Sequence, residues 1–285
     1  MESAHTYQMK RNLPSDIQQA WVVTKVEFIR NLRRKRLLIF FIIIGLVAAL
    51  LLAIPPLFTG YPKDPLLGPY QFSQFFTSFV NFLAILLAVF FGGDAIVSEF
   101  HNKTGYSILP NPMRRFSLFL GKFTANLFAC VIILGVYYII ITASLAVIYS
   151  RVPVELLYSF LFAVLYTTAC VALAFLISSM MRTTTSATVL TFVLFFFIFN
   201  IVSNILMFVG VRTEYILTFQ AGVINGFVNG PYPEMFPVDA TFHQGDFSLT
   251  IYQPTVGMAI LVTSMYAVVA FVVGYVIFRR RQMLG

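Results

Sequence analysis

The chain is predicted to be an all-α membrane protein: six transmembrane helices preceded by an amphipathic interfacial (elbow) helix. Three observations predict it. Of its 285 residues, 59% are apolar and 11% charged, where a soluble domain carries roughly 45–50% and about 25%; mean hydropathy is +0.85. Six apolar stretches reach the length of about 20 residues that a helix needs to cross a bilayer. Finally, sixteen of the nineteen Lys and Arg residues fall on one side of the resulting six-span arrangement.

Residues 1–36 are polar and precede the first apolar run, a layout unlike that of a cleavable signal peptide. Within them Ser15 and Gln18, following Pro14, have capping-box spacing. Ile17, Trp21, Phe28 and Leu32 then recur on one helical stripe, edged by Lys25, Arg30 and Arg33 to Arg36. An apolar stripe with a Trp and cationic borders predicts a helix lying in the membrane interface.

The predicted spans are 37–58, with Pro55-Pro56 at its outer end, then 75–93, 118–149, 154–181, 185–210 and 255–278. The third is longer than a crossing needs, so its first turns are expected in the inner headgroup zone. Only a few residues around Arg182-Thr183-Thr184-Thr185 join the fourth and fifth spans, which predicts a tight antiparallel hairpin. The outer loop 211–254 is long and rich in Gly, Pro and aromatic residues, the kind of connection that carries structure or function. Its piece from Ala221 to Val228 is apolar enough to dip back toward the membrane. Residues 279–285 form a short tail.

An even number of spans puts both termini on one side. Eight basic residues before the first span, Lys103, Arg114, Arg115 and Lys122 after the second, Arg182 after the fourth, and Arg279 to Arg281 share that side. Lys63, Arg151 and Arg212 lie opposite. The positive-inside rule makes the basic side cytoplasmic, in the plasma membrane. The net charge of +8 therefore flanks spans and anchors to anionic lipid, with no nucleic acid implied.

The chain has no nucleotide motor. Gly121-Lys122 is followed by Phe123, and Phe116 stands five residues before Gly121, so the phosphate-cradling pattern fails. No enzyme activity is expected, since no nucleophile elbow accompanies a His. Asp94 sits at the cytoplasmic end of its span, and all three His lie outside the spans, which argues against an ion-coupled relay. Cys130 and Cys170 read as packing residues, and Asp239, His243 and Asp246 as solvated loop residues, so no metal site is expected. Asn81, Asn126, Asn200 and Asn204 are the notable polar residues inside spans. Asn200 and Asn204 share a helix face beside Ser203, among Phe192, Phe195, Phe196, Phe197 and Phe199. Interhelical hydrogen bonding accounts for such amides; a substrate path lined by Asn81, Asn200 and Asn204 is the functional alternative.

The segment from Ser98 to Lys122 is charged and turn-rich, while the other inner loop is very short. It reads Ser98-Glu99, Lys103-Thr104-Gly105, Pro112-Met113-Arg114-Arg115 and Gly121-Lys122. In this it resembles the permeases of the ABC-2 class of ATP-binding-cassette transporters, especially archaeal versions, with His101 standing where the family has a glutamate. The amphipathic helix, six spans and basic tail extend the resemblance over the whole chain. It implies an ABC-2 exporter-type fold and a half-transporter: a permease that pairs with a second copy or a paralogue and binds two cytoplasmic ATPase subunits. The chain itself would then need no cofactor, ATP and Mg being held by the partner. The 98–115 segment would be the coupling element, with Glu99, Lys103, Thr104, Gly105, Pro112, Arg114 and Arg115 its contact residues, and the first, second and fifth helices would face the dimer axis. A non-transporting scaffold that anchors an enzyme complex is the alternative, with an ion channel behind it for want of a polar pore helix. The segment is silent on whether the cargo is lipid, glycan, peptide or drug.

Overall fold

The computed structural model describes residues 15–58, 60–101, 114–244 and 247–281. Helix α1, Asp16–Arg33, starts at a complete capping box: Gln18 N donates to Ser15 Oγ at 3.3 Å and Ser15 N to Gln18 Oε1 at 3.0 Å. Lys35, in the left-handed region at φ 57°, turns the chain into α2, Arg36–Phe58. Helix α3, Gly68–Leu87, runs through a π-helical turn, Ala88–Gly92, to the short α4, Val97–His101. Then follow α5, Arg115–Tyr149, and α6, Glu155–Met180. Helix α7, Thr184–Val193, continues through a second π-turn, Leu194–Ile198, into α8, Phe199–Phe208. Two short helices, α9 (Leu217–Gln220) and α10 (Gly222–Gly226), lead to strands β1 (Ala240–Gln244) and β2 (Phe247–Ile251). These strands form an antiparallel hairpin pairing Ala240 with Ile251. Helix α11, Val256–Arg280, closes the chain.

Six of these helical stretches are long and apolar enough to cross a membrane. The second extends from Gly68 to Glu99, beginning well before the predicted Phe75, because Pro69 in the first turn favours an earlier start. Helix α6 is the hub, with 67% of its apolar window buried. Its small residues admit close neighbours: a Cβ on Gly92 would stand 2.6 Å from the Cβ of Ala174. Phe119 and Phe123 of α5 wedge against Phe175 of α6 and Phe271 of α11, with Phe123 and Phe271 ring centroids 4.9 Å apart.

The fifth span follows the fourth through the expected short turn, but only its near half buries any residue. It buries Ala187, Thr191 and Phe195 and sets Phe196 against Phe82, while α8 buries no residue at all. Small residues in α7 give a seam for packing, whereas α8 carries Ile201, Val202, Ile205 and Phe208, all exposed. Only 11% of this span is covered, the least of the six.

At one end of the bundle lie α1, the start of α2, α4, the starts of α5 and α7, and the end of α11. This is called the terminal end below. At the far end, residues 217–228 fold into the core: Leu217, Val223 and Val228 are fully buried, and Ile224 O accepts from Ser159 Oγ at 2.8 Å.

Candidate functional site

At the terminal end, α1 packs along the first half of α5. The contact is close because Gly121 has no side chain: a Cβ there would lie 2.6 Å from both Ala20 O and Val23 Cβ. Across the seam, Thr24 and Thr124 hydroxyls meet at 2.7 Å, and Asn31 Nδ2 donates to Asn126 Oδ1 at 2.8 Å. Phe28 sets its ring edge-on to Phe128 at 6.1 Å. The helix therefore turns its polar face inward. Gln19, Glu27 and Asn31 are buried, while Ile17, Trp21, Val22, Val26, Ile29 and Leu32 are exposed. Phe28 leaves the predicted stripe because Phe128 takes it up.

Four charges close this seam. Lys122, 2% exposed, places Nζ 2.7 Å from Glu99 Oε1 and 3.4 Å from Glu27 Oε2. Arg30 pairs with Glu27 and reaches Glu99 Oε1 at 3.2 Å. Burial alone would pull the Arg30 guanidinium down, but Glu27 and Glu99 outweigh it and hold the group above its usual value. Two cations face two carboxylates, so the cluster is balanced as well as enclosed. It joins α1, α4 and α5.

Helix α4 has a second anchor. Ser178 Oγ, at the end of α6, accepts from both Ile96 N and Val97 N at 3.1 Å, satisfying amides that the start of a helix leaves open. Asp94, just before it, grips Arg36 of α2 through both carboxylate oxygens, at 3.0 and 2.5 Å.

The residues expected to contact a soluble partner separate into three groups. Glu99 does not face outward: Lys122 and Arg30 draw its carboxylate into the cluster, leaving it 4% exposed. Arg114 and Arg115 lie on the surface, yet each touches the protein. Arg114 Nη1 meets Asp16 Oδ2 at 2.6 Å and its amide donates to Gln19; Arg115 Nη1 donates to Arg279 O at 2.6 Å and Arg281 O at 3.2 Å. Lys103, Thr104, Gly105 and Pro112 lie outside the described residues.

The three amides named for a substrate path have different surroundings. Asn81, half-buried, accepts from Tyr166 Oη at 2.8 Å and so fastens α3 to α6. Asn200 serves its own helix: a π-turn drops a carbonyl from the regular ladder, and Asn200 Nδ2 donates to Phe195 O at 2.8 Å and Phe196 O at 3.3 Å. Asn204 is exposed, one turn further on. Beside them Phe82, Phe192 and Phe197 are also exposed, with the Phe82 and Phe196 rings 5.3 Å apart.

Residues 21–283 match the model of the ABC-2 family transporter protein. The chain belongs to the ABC-2 transporter family. Comparison with curated proteins returned no match. As an ABC-2 permease it is a multi-pass transmembrane transport subunit, not itself the ATPase. The matched region takes in α1 from Trp21 onward together with the six spans, so the ion cluster lies within the ABC-2 body.

The sequence reading gives Glu27 no role, Arg30 only a place at the edge of the α1 stripe, and Lys122 only its part in the Gly-Lys pattern and the basic cytoplasmic set. A signal for them existed. Glu27 sits opposite the apolar stripe of α1, and Gly121-Lys122 pairs the one residue that admits close approach with a cation that has no solvent to face.

Proposed function

We propose that this ABC-2 permease is half of an ATP-driven exporter, pairing with a second permease and coupled to two cytoplasmic ATPase subunits through residues 98–115. The observation that carries the reading is the double anchoring of that segment. Its first end is tied to α1, α5 and α6 by Glu99 and by the amides held on Ser178; its second end is tied to α1 and α11 by Arg114 and Arg115. A push delivered at either end of the segment by a docked ATPase would reach α1, α5, α6 and α11. Glu99 then positions the segment from within, and the outward contacts fall to Arg114 and Arg115.

The uncovered face of α7 and α8 supports the pairing. Its exposed Asn204 sits in an apolar span, where an amide facing hydrocarbon costs several kcal/mol by order of magnitude. A second permease copy, or a path between the two copies walled by Phe82, Phe192 and Phe197, relieves that cost.

The test is capture of the tagged permease from its native membranes. An ATPase subunit with ABC motifs and no spans of its own should co-purify and hydrolyse ATP. An Arg114→Glu/Arg115→Glu double variant should lose it, and Arg280→Glu should retain it. Truncating one partner of an interfacial pair costs roughly 2–5 kcal/mol, whereas exposed pairs such as Arg114 with Asp16 contribute about 0–1. Equal loss from both variants, or no captured ATPase, would refute the coupling role.

A further inference from the structure

A groove of about 600 Å³ opens between the far halves of α5 and α6. One wall is Gly135, Ile139 and Thr142 of α5, on one helical face; the other is Val154, Leu157 and Phe160. Ile139 and Leu157 are 67% and 53% exposed, so the groove opens outward from the bundle. Gly135 makes its notch: a Cβ there would meet nothing within 4 Å.

The polar atoms along these walls are already used. Thr142 Oγ1 donates to Tyr138 O at 2.8 Å, and Tyr138 Oη meets Ser159 Oγ at 2.9 Å. The surface offered to an occupant is hydrocarbon. Gly135 lies fourteen residues before the end of α5, about 21 Å along the axis at 1.5 Å per residue. That is somewhat more than one leaflet of a hydrocarbon core about 30 Å thick. The groove thus runs from one membrane surface toward the midplane.

At the surface end, the chain leaves α5 through Ser150, in the left-handed region at φ 52°, and passes Arg151 before Val152 and Pro153 close the groove. Arg151 is exposed. Of the three basic residues on the far side, Arg212 is engaged by Glu214 and Asp239, whereas Arg151 makes no ion pair among the described residues. The nearest acidic residue in sequence, Glu155, is turned inward: it is 7% exposed and accepts from Tyr232 N at 3.3 Å. An exposed cation therefore sits next to Val152 and Pro153 at the surface end of an apolar groove.

We propose that this groove holds one acyl chain of a phospholipid from the leaflet opposite the termini, with its phosphate on the Arg151 guanidinium. Planar guanidinium groups engage phosphate through paired N–H donors, and apolar burial holds the chain. The bound lipid fills the outer seam of α5 and α6, away from the uncovered α7–α8 face, and stays with the permease when bulk lipid is removed.

The test titrates the purified, delipidated permease with dioleoylphosphatidylglycerol and counts bound lipids by native mass spectrometry. Dioleoylglycerol, which has the chains without the phosphate, runs alongside. One phosphatidylglycerol should bind at least ten-fold more tightly than the rest. Gly135→Leu should weaken both lipids ten-fold or more, since it fills the notch from a Cβ that meets nothing within 4 Å. Ile139→Trp, at an exposed position, is the second filling variant should the first lower the melting temperature. Arg151→Gln should weaken phosphatidylglycerol several-fold and leave dioleoylglycerol unchanged. Unchanged lipid binding in the filling variants would overturn the proposal, as would equal effects of Arg151→Gln on the two lipids. It would fall equally if Gly135→Leu split a permease dimer while lipid binding held, for a second copy would then cover the groove.

Discussion

Lys122 is almost fully enclosed and faces two carboxylates that are enclosed with it. Removing one member of a buried ion pair leaves an uncompensated charge and costs about 3–5 kcal/mol. Lys122→Met should therefore lower the melting temperature of the purified permease sharply, whereas Lys25→Met, which removes an exposed cation over the Trp21 ring, should barely move it. Adding Glu99→Gln to Lys122→Met should recover part of the loss, because it removes the charge left behind. Strict additivity of the two would show that the groups do not interact. Gly121 gives a second prediction at this scale. Gly121→Val must displace Ala20 O, a backbone atom, so α1 should lift from α5 and its amides should lose hydrogen-exchange protection. These contacts were only half legible beforehand. The Gly-Lys pair stands out in the sequence, but its partners on α1 lie about a hundred residues upstream, and linear spacing holds no trace of which face of α1 turns inward.

Among the elements, the fifth span separates two amides that look alike in sequence. Asn200 and Asn204 share a face, yet the π-turn at Leu194–Ile198 frees a carbonyl that only Asn200 reaches. Asn200→Leu should thus leave a polar group unsatisfied, at a cost of about 1–3 kcal/mol in thermal unfolding. Asn204→Leu breaks no hydrogen bond among the described residues and removes an amide from an apolar span, so it should not destabilise the chain. If both variants unfold alike, Asn200 has no special structural part. The periodicity of apolar residues was enough to draw the helices, because lipid imposes a length that sequence must match. It could not show the π-turns, which arise from packing, nor that α8 would bury none of its residues. The same limit governs α1: its apolar stripe was legible as a stripe, but whether it faced protein or lipid depended on the buried charges gathered opposite.

For the whole molecule, the distribution of charge sets an orientation that the bundle geometry makes coherent. The helix ends carrying the basic residues meet through direct contacts: Arg36 with Asp94, Arg115 with the carbonyls of Arg279 and Arg281, and Arg281 with Ser179 O. Lipid headgroups and the membrane potential both favour that cationic end in the cytoplasm. Cysteine labelling reads this out cleanly, because the chain's own Cys130 and Cys170 are fully buried. In intact cells a membrane-impermeant maleimide should modify His243→Cys, in β1, and should leave His5→Cys untouched until the membrane is opened. The converse pattern would put Arg114, Arg115 and the anchored segment on the side where no ATP is supplied. A cytoplasmic ATPase could not then dock there, so this single labelling result bears on the coupling role as directly as it does on topology.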